Sequence, residues 1–136
     1  MSQFSDTKPH GIFLPESAAQ HRTAGPYSPV LRVRCNEIVA ISGQGPIDSD
    51  GNVVGVTIRE QTALTLENCK RQLESAGISL KNVFKVVVYL EDLAEWQAFN
   101  EVYRQYMSEP YPVRTAIQCV LWGHIKVEID MLAIAG

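Results

Sequence analysis

The feature that most constrains the fold is a strict alternation of apolar and charged residues near the C-terminal end of the sequence. Ile125, Val127, Ile129 and Met131 are apolar, and the intervening Lys126, Glu128 and Asp130 are charged. Successive side chains of a β-strand point to opposite faces of the sheet. The alternation therefore predicts a strand with one face buried in a core and one polar face. Such a strand requires a sheet that other elements cover on one side.

Two segments have the apolar spacing of amphipathic helices. The first is predicted to begin after Thr57, which forms a capping box with Glu60, and to end at Gly77. The second is predicted to begin at the cap residue Asp92 and to end before Pro110. The apolar stripe of the second helix comprises Trp96, Phe99, Tyr103, Tyr106 and Met107.

The remaining apolar runs are short and rich in β-branched and aromatic residues, which is typical of strands. Strands are predicted at residues 30–35, 37–43, 83–90, 113–121 and 125–134, with a further candidate at residues 53–56. The order of elements, β-β-α-β-α-β-β, predicts one α+β domain: a mixed β-sheet with two helices on one face. No helix remains for the other face, so we expect a neighbouring copy of the chain to cover it.

The N-terminal part of the chain differs from the rest because it is polar and shows no steady period. Residues 1–22 are predicted to form an N-terminal arm or a short extended segment, and residues 23–136 the domain. The beginning of the sequence lacks the basic and apolar segments of a signal peptide, and no apolar run is long enough to span a membrane. We therefore expect a cytoplasmic protein without a membrane partner.

The charged residues and cysteines exclude several classes of protein. The chain carries 12 basic and 15 acidic residues, a net charge of −3, and no basic cluster stands out. This balance disfavours nucleic-acid binding, which needs a concentrated positive patch. The three cysteines and three histidines are widely scattered, so neither a disulfide framework nor a metal site is expected.

Three polar residues stand in positions where chemistry is plausible. Arg114 begins an otherwise apolar strand, directly after the segment that Pro112 stiffens. It is either a solvated surface charge or a planar fork held ready for a carboxylate. Glu128 lies in the polar row of the last strand and is either solvated or functional. Asn100 lies on the apolar stripe of the second helix, where a buried amide needs partners: it either anchors a loop or lines a site.

The separation of Arg114 and Glu128 can be estimated if the last two strands form a hairpin around Gly123. Glu128 would then lie opposite Gln118, and Arg114 roughly 13 Å farther along the same face. One small substrate would not reach both side chains. The two residues are therefore predicted to meet only across two copies of the chain.

Five short segments carry a specific combination of motifs. They are GPYSP at 25–29, SGQGPID at 42–48, FNEVY at 99–103, PVRTA at 112–116 and VEIDMLAIA at 127–135. Together they resemble the reactive-intermediate deaminase family, also called the RidA/YjgF family, over nearly the whole chain. The resemblance implies a chorismate-mutase-like (bacillus-type) fold, a homotrimer with a β-barrel core, and clefts between subunits. It also implies hydrolysis of 2-enamine and 2-imine acids to 2-keto acids and ammonia, without a cofactor.

The same resemblance implies roles for individual residues. Arg114 would bind the substrate carboxylate, and Glu128 would position the attacking water. Tyr27 would line the cleft. The other positions that match the substrate pocket are Ser42, Gly43 and Asn100.

The chain departs from the family pattern at two places. Many members carry a cysteine where this chain has Ala116, so a thiol mechanism is excluded there and only backbone contacts to the substrate remain. The usual Leu-Pro before the last strand is missing, and Trp122 and His124 stand in a loop one residue shorter. These differences leave the identity of the substrate open.

Two alternative functions remain. A non-catalytic trimer that binds or senses a small carboxylate would need Arg114 but not Glu128. Ribonuclease activity or translation inhibition, which some relatives have been assigned, is disfavoured by the acidic composition.

Overall fold

A computed structural model describes residues 11–22 and 24–136; the first ten residues of the predicted arm and Thr23 lie outside the described part. The strands are β1 (Gly11–Phe13), β2 (Arg32–Arg34), β3 (Glu37–Gln44), β4 (Val83–Leu90), β5 (Val113–Gln118) and β6 (Val127–Ala135). The helices are α1 (Ile58–Ser75) and α2 (Trp96–Tyr106). The predicted mixed α+β domain with two helices is confirmed.

The main sheet has the strand order β3-β6-β4-β5, in which only β4 and β5 run parallel. The predicted hairpin of the last two strands is wrong, because β4 lies between β5 and β6. Glu128 pairs with Tyr89 of β4 and not with Gln118. The physical reason is the helical crossover: α2 connects β4 to β5, and a helix between two strands lets them lie side by side in parallel.

Both helices pack on one face of this sheet. The buried core combines Leu66, Cys69 and Leu73 of α1, Phe99, Val102 and Tyr103 of α2, Val86, Val88 and Leu90 of β4, and Val127, Ile129 and Met131 of β6. The apolar row of the alternating segment, on β6, is thus buried in the core, as predicted. Within the described residues, neither helix is both long and apolar enough to cross a membrane.

The ends of α1 follow the sequence signals closely. The side chains of Thr57 and Glu60 form the predicted capping box. At the other end, Gly77 has φ +78° and donates to the carbonyl of Glu74, while Ile78 donates to that of Leu73. This is the Schellman arrangement, in which a left-handed glycine satisfies the last carbonyls.

Other boundaries shift from their predicted positions. Asp92 caps a 3₁₀ turn, Leu93–Glu95, and α2 begins only after it, at Trp96. The helix ends at Tyr106, before Pro110, as predicted. β5 ends at Gln118, and the candidate strand at 53–56 is only an isolated bridge between Val53 and Ile47.

Part of the predicted arm is a strand. β1 pairs antiparallel with β2, so that Ile12 lies opposite Val33. β2 therefore belongs to a separate two-stranded sheet and does not pair with β3. A three-residue strand is too short for a periodic signal, and pairing with β2 is what makes it regular.

The face of the main sheet opposite the helices, called here the open face, is partly exposed in the single chain. Ile38 is 58% exposed and Ile117 is 43% exposed. Neither α1 nor α2 covers this face, although Ile134 at the end of β6 is buried and lines a groove together with Ile12 of β1. This arrangement agrees with the prediction that no helix remains to cover the second face of the sheet.

Candidate active site

Arg114 points to the helix side of the sheet from the edge strand β5. Its strand partner is Val86, which is fully buried under the helices, and directly paired residues share a face. Four aromatic rings surround the guanidinium. Its carbon Cζ lies 4.7 Å from the ring centroid of Tyr103, 4.8 Å from Trp96, 5.3 Å from Tyr27 and 5.7 Å from Phe99. All four distances are within the range of cation–π attraction.

The guanidinium of Arg114 has no hydrogen-bonding partner for its two terminal nitrogens, although both are buried. Burial lowers the pKa of Arg114, but an arginine starts so far above neutrality that it stays protonated. The ring faces attract the cation but are not in-plane acceptors for its N–H groups, and the Tyr103 hydroxyl, which is able to accept one, is itself buried without a hydrogen bond. A buried donor without an acceptor costs about 1–3 kcal/mol, so this site favours an acceptor that carries negative charge.

Asn100 and Arg114 both turn a nitrogen toward Gly25. A Cβ atom placed on Gly25 would lie 3.3 Å from Nδ2 of Asn100 and 3.4 Å from Nη2 of Arg114. A side chain at this position would crowd both groups. The two donors therefore converge on the backbone of the loop that contains Gly25.

This loop is held against the start of β5 by Ser28. The Ser28 hydroxyl donates to the carbonyl of Tyr111, and its amide donates to the carbonyl of Pro112. Ser28 also forms an isolated parallel bridge with Val113. The motif GPYSP is thus anchored at its serine, which places Tyr27 beside Arg114.

A surface groove of about 390 Å³ opens next to these residues. Ala24 and Gly25 form one wall, and α2 supplies Trp96 and Asn100. Asn100 is only 4% exposed, and its oxygen Oδ1 is buried without a partner. The groove is large enough for a small amino-acid-sized molecule and leads to the donors around Gly25. We call Tyr27, Gly25, Asn100 and Arg114 the arginine half-site.

Glu128 lies on the open face, at the beginning of β6. A β-bulge in β3, between Ile41 and Gln44, faces it and contains Ser42 and Gly43. A Cβ atom on Gly43 would lie 2.3 Å from Oε2 of Glu128, so the glutamate packs directly over the glycine backbone. We call Ser42, Gly43 and Glu128 the glutamate half-site.

Polar neighbours surround Glu128 on the open face. Tyr89, its strand partner, donates a hydrogen bond of 3.0 Å to Oδ2 of Asp130. This hydrogen bond is the main reason why the pKa of Tyr89 is raised. The phenol is thereby fixed as a protonated neighbour of Glu128.

One chain does not bring the two half-sites together. The pairing partners of Arg114 and Glu128 on β4 are Val86 and Tyr89, three residues apart and therefore on opposite faces. The two side chains are also separated by about 10 Å along the strands and about 10 Å across them. The predicted arrangement, with both side chains on one face and roughly 13 Å apart, followed from the hairpin and is wrong. In the observed sheet the two side chains are kept apart because they lie on opposite faces.

Ala116 and the loop after β5 take other positions. Ala116 shares the face of Arg114, pairs with Val88 and packs against the core. Trp122 and His124 are exposed, and the 122–124 loop borders a different groove, of about 660 Å³, which His124 lines together with Cys119. In the single chain, this loop does not line the groove of the arginine half-site. Across the described ranges, no three His, Cys, Asp or Glu side chains form a group that could hold a metal.

The sequence reasoning missed the aromatic box around Arg114. The sequence places Trp96, Phe99 and Tyr103 on the apolar stripe of the second helix, and this stripe was not predicted to surround a cation. One signal was available: the stripe that carries these rings also carries Asn100. A polar residue within an aromatic stripe indicates that the stripe faces more than apolar core.

Sequence comparisons agree on one group of proteins. A family model described as Endoribonuclease L-PSP matches residues 17–135. A RutC family protein of Pyrococcus abyssi is 44% identical over 111 residues, which cover 80% of this chain and 86% of the relative. TdcF of Escherichia coli, provisionally named a reactive intermediate deaminase, is 33% identical over 114 residues, which cover 81% and 87%.

Solved structures have the same fold. A protein of Thermotoga maritima, provisionally named an endoribonuclease, matches with a TM-score of 0.70 and 36% identity, over 91% of this chain and 97% of that chain. The crystal structure of Escherichia coli TdcF with bound serine matches with a TM-score of 0.69 and 28% identity, over 88% and 98%.

Proposed function

The chain belongs to the endoribonuclease L-PSP family, also called the YjgF/RidA family, and on this basis we propose that it hydrolyses small 2-imino and 2-enamino acids to 2-keto acids and ammonia. The observation that carries the proposal is the Arg114 guanidinium, which is boxed by aromatic rings and lacks partners for both terminal nitrogens. The carboxylate of an imino acid is the acceptor that fits this fork.

Arg114 holds the substrate carboxylate in this proposal. Because both terminal nitrogens are closed off from solvent, the carboxylate enters from the groove beside Gly25, and the guanidinium or the Gly25 loop shifts to admit it. Asn100 donates a second hydrogen bond. The bound serine in TdcF supports a ligand of this kind, since serine carries an α-carboxylate next to a nitrogen. Holding the carboxylate places the reacting carbon at a defined point.

Glu128 activates water. The enamine first tautomerises to the imine, whose carbon is electrophilic. Glu128 accepts a proton as the water oxygen bonds to this carbon, and the same proton is delivered to the nitrogen. Glu128 then accepts the hydroxyl proton of the resulting carbinolamine and delivers it to the nitrogen as the C–N bond breaks, so that ammonia leaves and the carbonyl of the keto acid forms. One water is consumed and no electrons are transferred, so the reaction needs no cofactor.

The complete site forms between copies of the chain. The arginine half-site lies at β5 and the glutamate half-site at β3 and β6, and β3 and β5 are the two edges of the main sheet. Joining the β5 edge of one copy to the β3 edge of the next would bring unlike half-sites toward each other. In a closed ring of copies, every β5 edge is joined to the β3 edge of a neighbour. The family resemblance favours a ring of three.

The separation of the half-sites favours a second function, which is the binding of small carboxylates without catalysis. The arginine half-site is complete within one chain, whereas Glu128 lies on the other face of the sheet. A protein that only binds small carboxylates would need no more than this half. The two functions differ in their dependence on Glu128.

Ribonuclease activity, which gives the family its name, has weaker physical support. With 12 basic and 15 acidic residues, the chain lacks the positive excess that attracts a phosphate backbone. Incubation with a labelled RNA would expose such an activity directly.

The decisive experiment compares turnover and binding in two variants. In Glu128→Gln, kcat for ammonia release, corrected for uncatalysed hydrolysis, should fall by about a hundred- to ten-thousandfold, while 2-oxobutanoate still binds. In Arg114→Lys, which keeps the charge but loses the fork, kcat/KM should fall by about ten- to a hundredfold. Unchanged kcat in Glu128→Gln would leave carboxylate binding as the function.

Mixing the two variants tests whether sites form between copies. Refolding them together at equal amounts should restore about a quarter of the wild-type activity, because that share of interfaces pairs an intact Arg114 with an intact Glu128. Each variant refolded alone is the control. If both residues acted within one chain, the mixture would stay as inactive as its components.

A further inference from the structure

A second arginine lies in the groove of the arginine half-site. Trp96, Asn100 and Arg104 follow one another at intervals of four residues, so they form a single ridge along α2. Arg104 is exposed and lines the same groove as Asn100 and Gly25. Its Cα lies one helical turn, about 6 Å, beyond that of Asn100. Neither the predicted site nor the proposed reaction uses this residue.

The charges around the groove leave Arg104 uncompensated. Glu101 is the one acidic residue among those that line the groove, and it forms an ion pair with Arg59 of α1. Within the described part of the chain, Arg104 forms no ion pair. Burial is the main factor that lowers the pKa of Arg114, and the positive charge of Arg104 lowers it further. Gly25 lines the groove together with Arg104 and lies against Nη2 of Arg114, so the two arginines flank the same stretch of backbone.

We propose that Arg104 forms a second anion-binding subsite, so that the groove prefers 2-imino acids that carry a second carboxylate at the far end of the side chain. This inference rests on the proposed function, in which Arg114 holds the first carboxylate. Asn100 lies one turn before Arg104 on the ridge, and its Nδ2 lies next to Gly25 together with Nη2 of Arg114, so its amide can orient the middle of the ligand. Because Nδ2 of Asn100 and Nη2 of Arg114 both lie next to Gly25, the helical turn of about 6 Å from Asn100 to Arg104 approximates the span that the ligand has to bridge, and an extended five-carbon dicarboxylate is of that length. The second carboxylate would also relieve the repulsion between the arginines.

The test uses stable keto acids that report on binding without turnover. Calorimetry with 2-oxoglutarate and 2-oxobutanoate measures the preference for a second carboxylate. Wild-type protein should bind 2-oxoglutarate about tenfold more tightly, as expected for one charge-assisted contact. Arg104→Gln should remove this preference and leave the affinity for 2-oxobutanoate within about twofold.

Lys70→Gln is the matched control, since it removes one positive charge from an exposed position of α1 outside the groove. It should behave like wild type toward both ligands. Equal weakening of both ligands in Arg104→Gln, or no preference in wild type, would overturn the inference and leave the proposed function standing. If wild-type protein bound neither keto acid, the proposed carboxylate site would fail, and the dicarboxylate subsite with it.

Discussion

At the scale of single residues, the environment of Arg114 decides between the two interpretations that its sequence position allows. A solvated surface arginine would have its terminal nitrogens in water. Here both are buried, and four rings surround the guanidinium. Aromatic faces stabilise the cation but leave its in-plane N–H groups free. The guanidinium of Arg114 is therefore held in place while the N–H groups of its terminal nitrogens have no acceptor.

Because Glu128 packs closely over Gly43, a single methyl group added at residue 43 should displace the glutamate. In Gly43→Ala, the new Cβ would lie 2.3 Å from Oε2 of Glu128, so the carboxylate must move. We expect kcat for imine hydrolysis to fall by about tenfold or more, since small displacements of a catalytic group are costly. The affinity for 2-oxobutanoate should not change.

Gly45→Ala is the matched control for this substitution. Its new Cβ would meet Cδ1 of Ile47 at 3.5 Å, an ordinary contact. Steady-state kinetics on both variants, with circular dichroism to verify folding, separate displacement of Glu128 from general disturbance of the segment. Equal kcat values in the two variants would count against a role for Glu128 in the reaction.

At the scale of elements, α1 shows how local signals fix the ends of a helix. The amide of Glu60 donates to the Thr57 hydroxyl at 3.1 Å, and the amides of Thr57 and Val56 donate to the Glu60 carboxylate at 3.1 and 3.3 Å. These bonds satisfy donors at the helix start that otherwise lack partners. They involve only neighbouring residues, and the sequence therefore predicts them.

The capping box makes part of the stability depend on pH. The backbone bond from Thr57, followed by those from Val56 and the Thr57 side chain, lowers the pKa of Glu60 below its ordinary value of 4.5. A lowered pKa in the folded state stabilises the protein above the ordinary pKa, and this contribution is lost as the pH falls through the lowered value. Urea unfolding should therefore find wild type more stable than Glu60→Gln at pH 7, with the difference shrinking as the pH falls below 4.5 and through the lowered pKa.

Thr57→Ala provides the complementary measurement. Loss of the cap hydroxyl should lower the free energy of unfolding by about 1 kcal/mol at pH 7. A difference between wild type and Glu60→Gln that stayed constant from pH 7 to pH 3 would show that the carboxylate charge does not contribute.

At the scale of the whole molecule, the open face is the surface that we expect to contact other copies of the chain. Ile38 and Ile117 are exposed there, while Glu128 shares this face on β6. Burying such residues against other copies would remove apolar surface from water. It would also enclose the glutamate half-site between chains.

We expect wild-type protein to be a trimer and Ile117→Asp to dissociate it. A charge on the open face would have to be buried in the assembly at a cost of several kcal/mol. Light scattering should detect the lower mass. The dissociated protein should lose imine hydrolysis but still bind 2-oxobutanoate, because the arginine half-site lies within one chain.

Val56→Asp is the control for the assembly experiment, since Val56 is 80% exposed and lies outside the main sheet. It should remain trimeric and active. A wild-type protein that stayed monomeric at micromolar concentration would contradict the two-copy site.

Taken by itself, the sequence determined the helices, most strands, the buried row of β6 and the family. These follow from short-range patterns: the capping box at Thr57, the left-handed turn at Gly77, the alternation at Ile125–Met131 and the five motifs. It also proposed the residues of both half-sites except Gly25. It could not determine how they are arranged, as the wrong partner for Glu128 shows.

The pairing of the strands, and the face of the sheet that each polar side chain occupies, follow from the three-dimensional fold. β5 pairs with β4 because α2 returns the chain in parallel, and this places Arg114 under the helices and Glu128 on the open face. The aromatic box likewise combines Tyr27, from a loop, with rings of α2. Periodicity fixes which side of an element is buried, but strand pairing depends on the free energy of the whole sheet, to which residues far apart in sequence contribute.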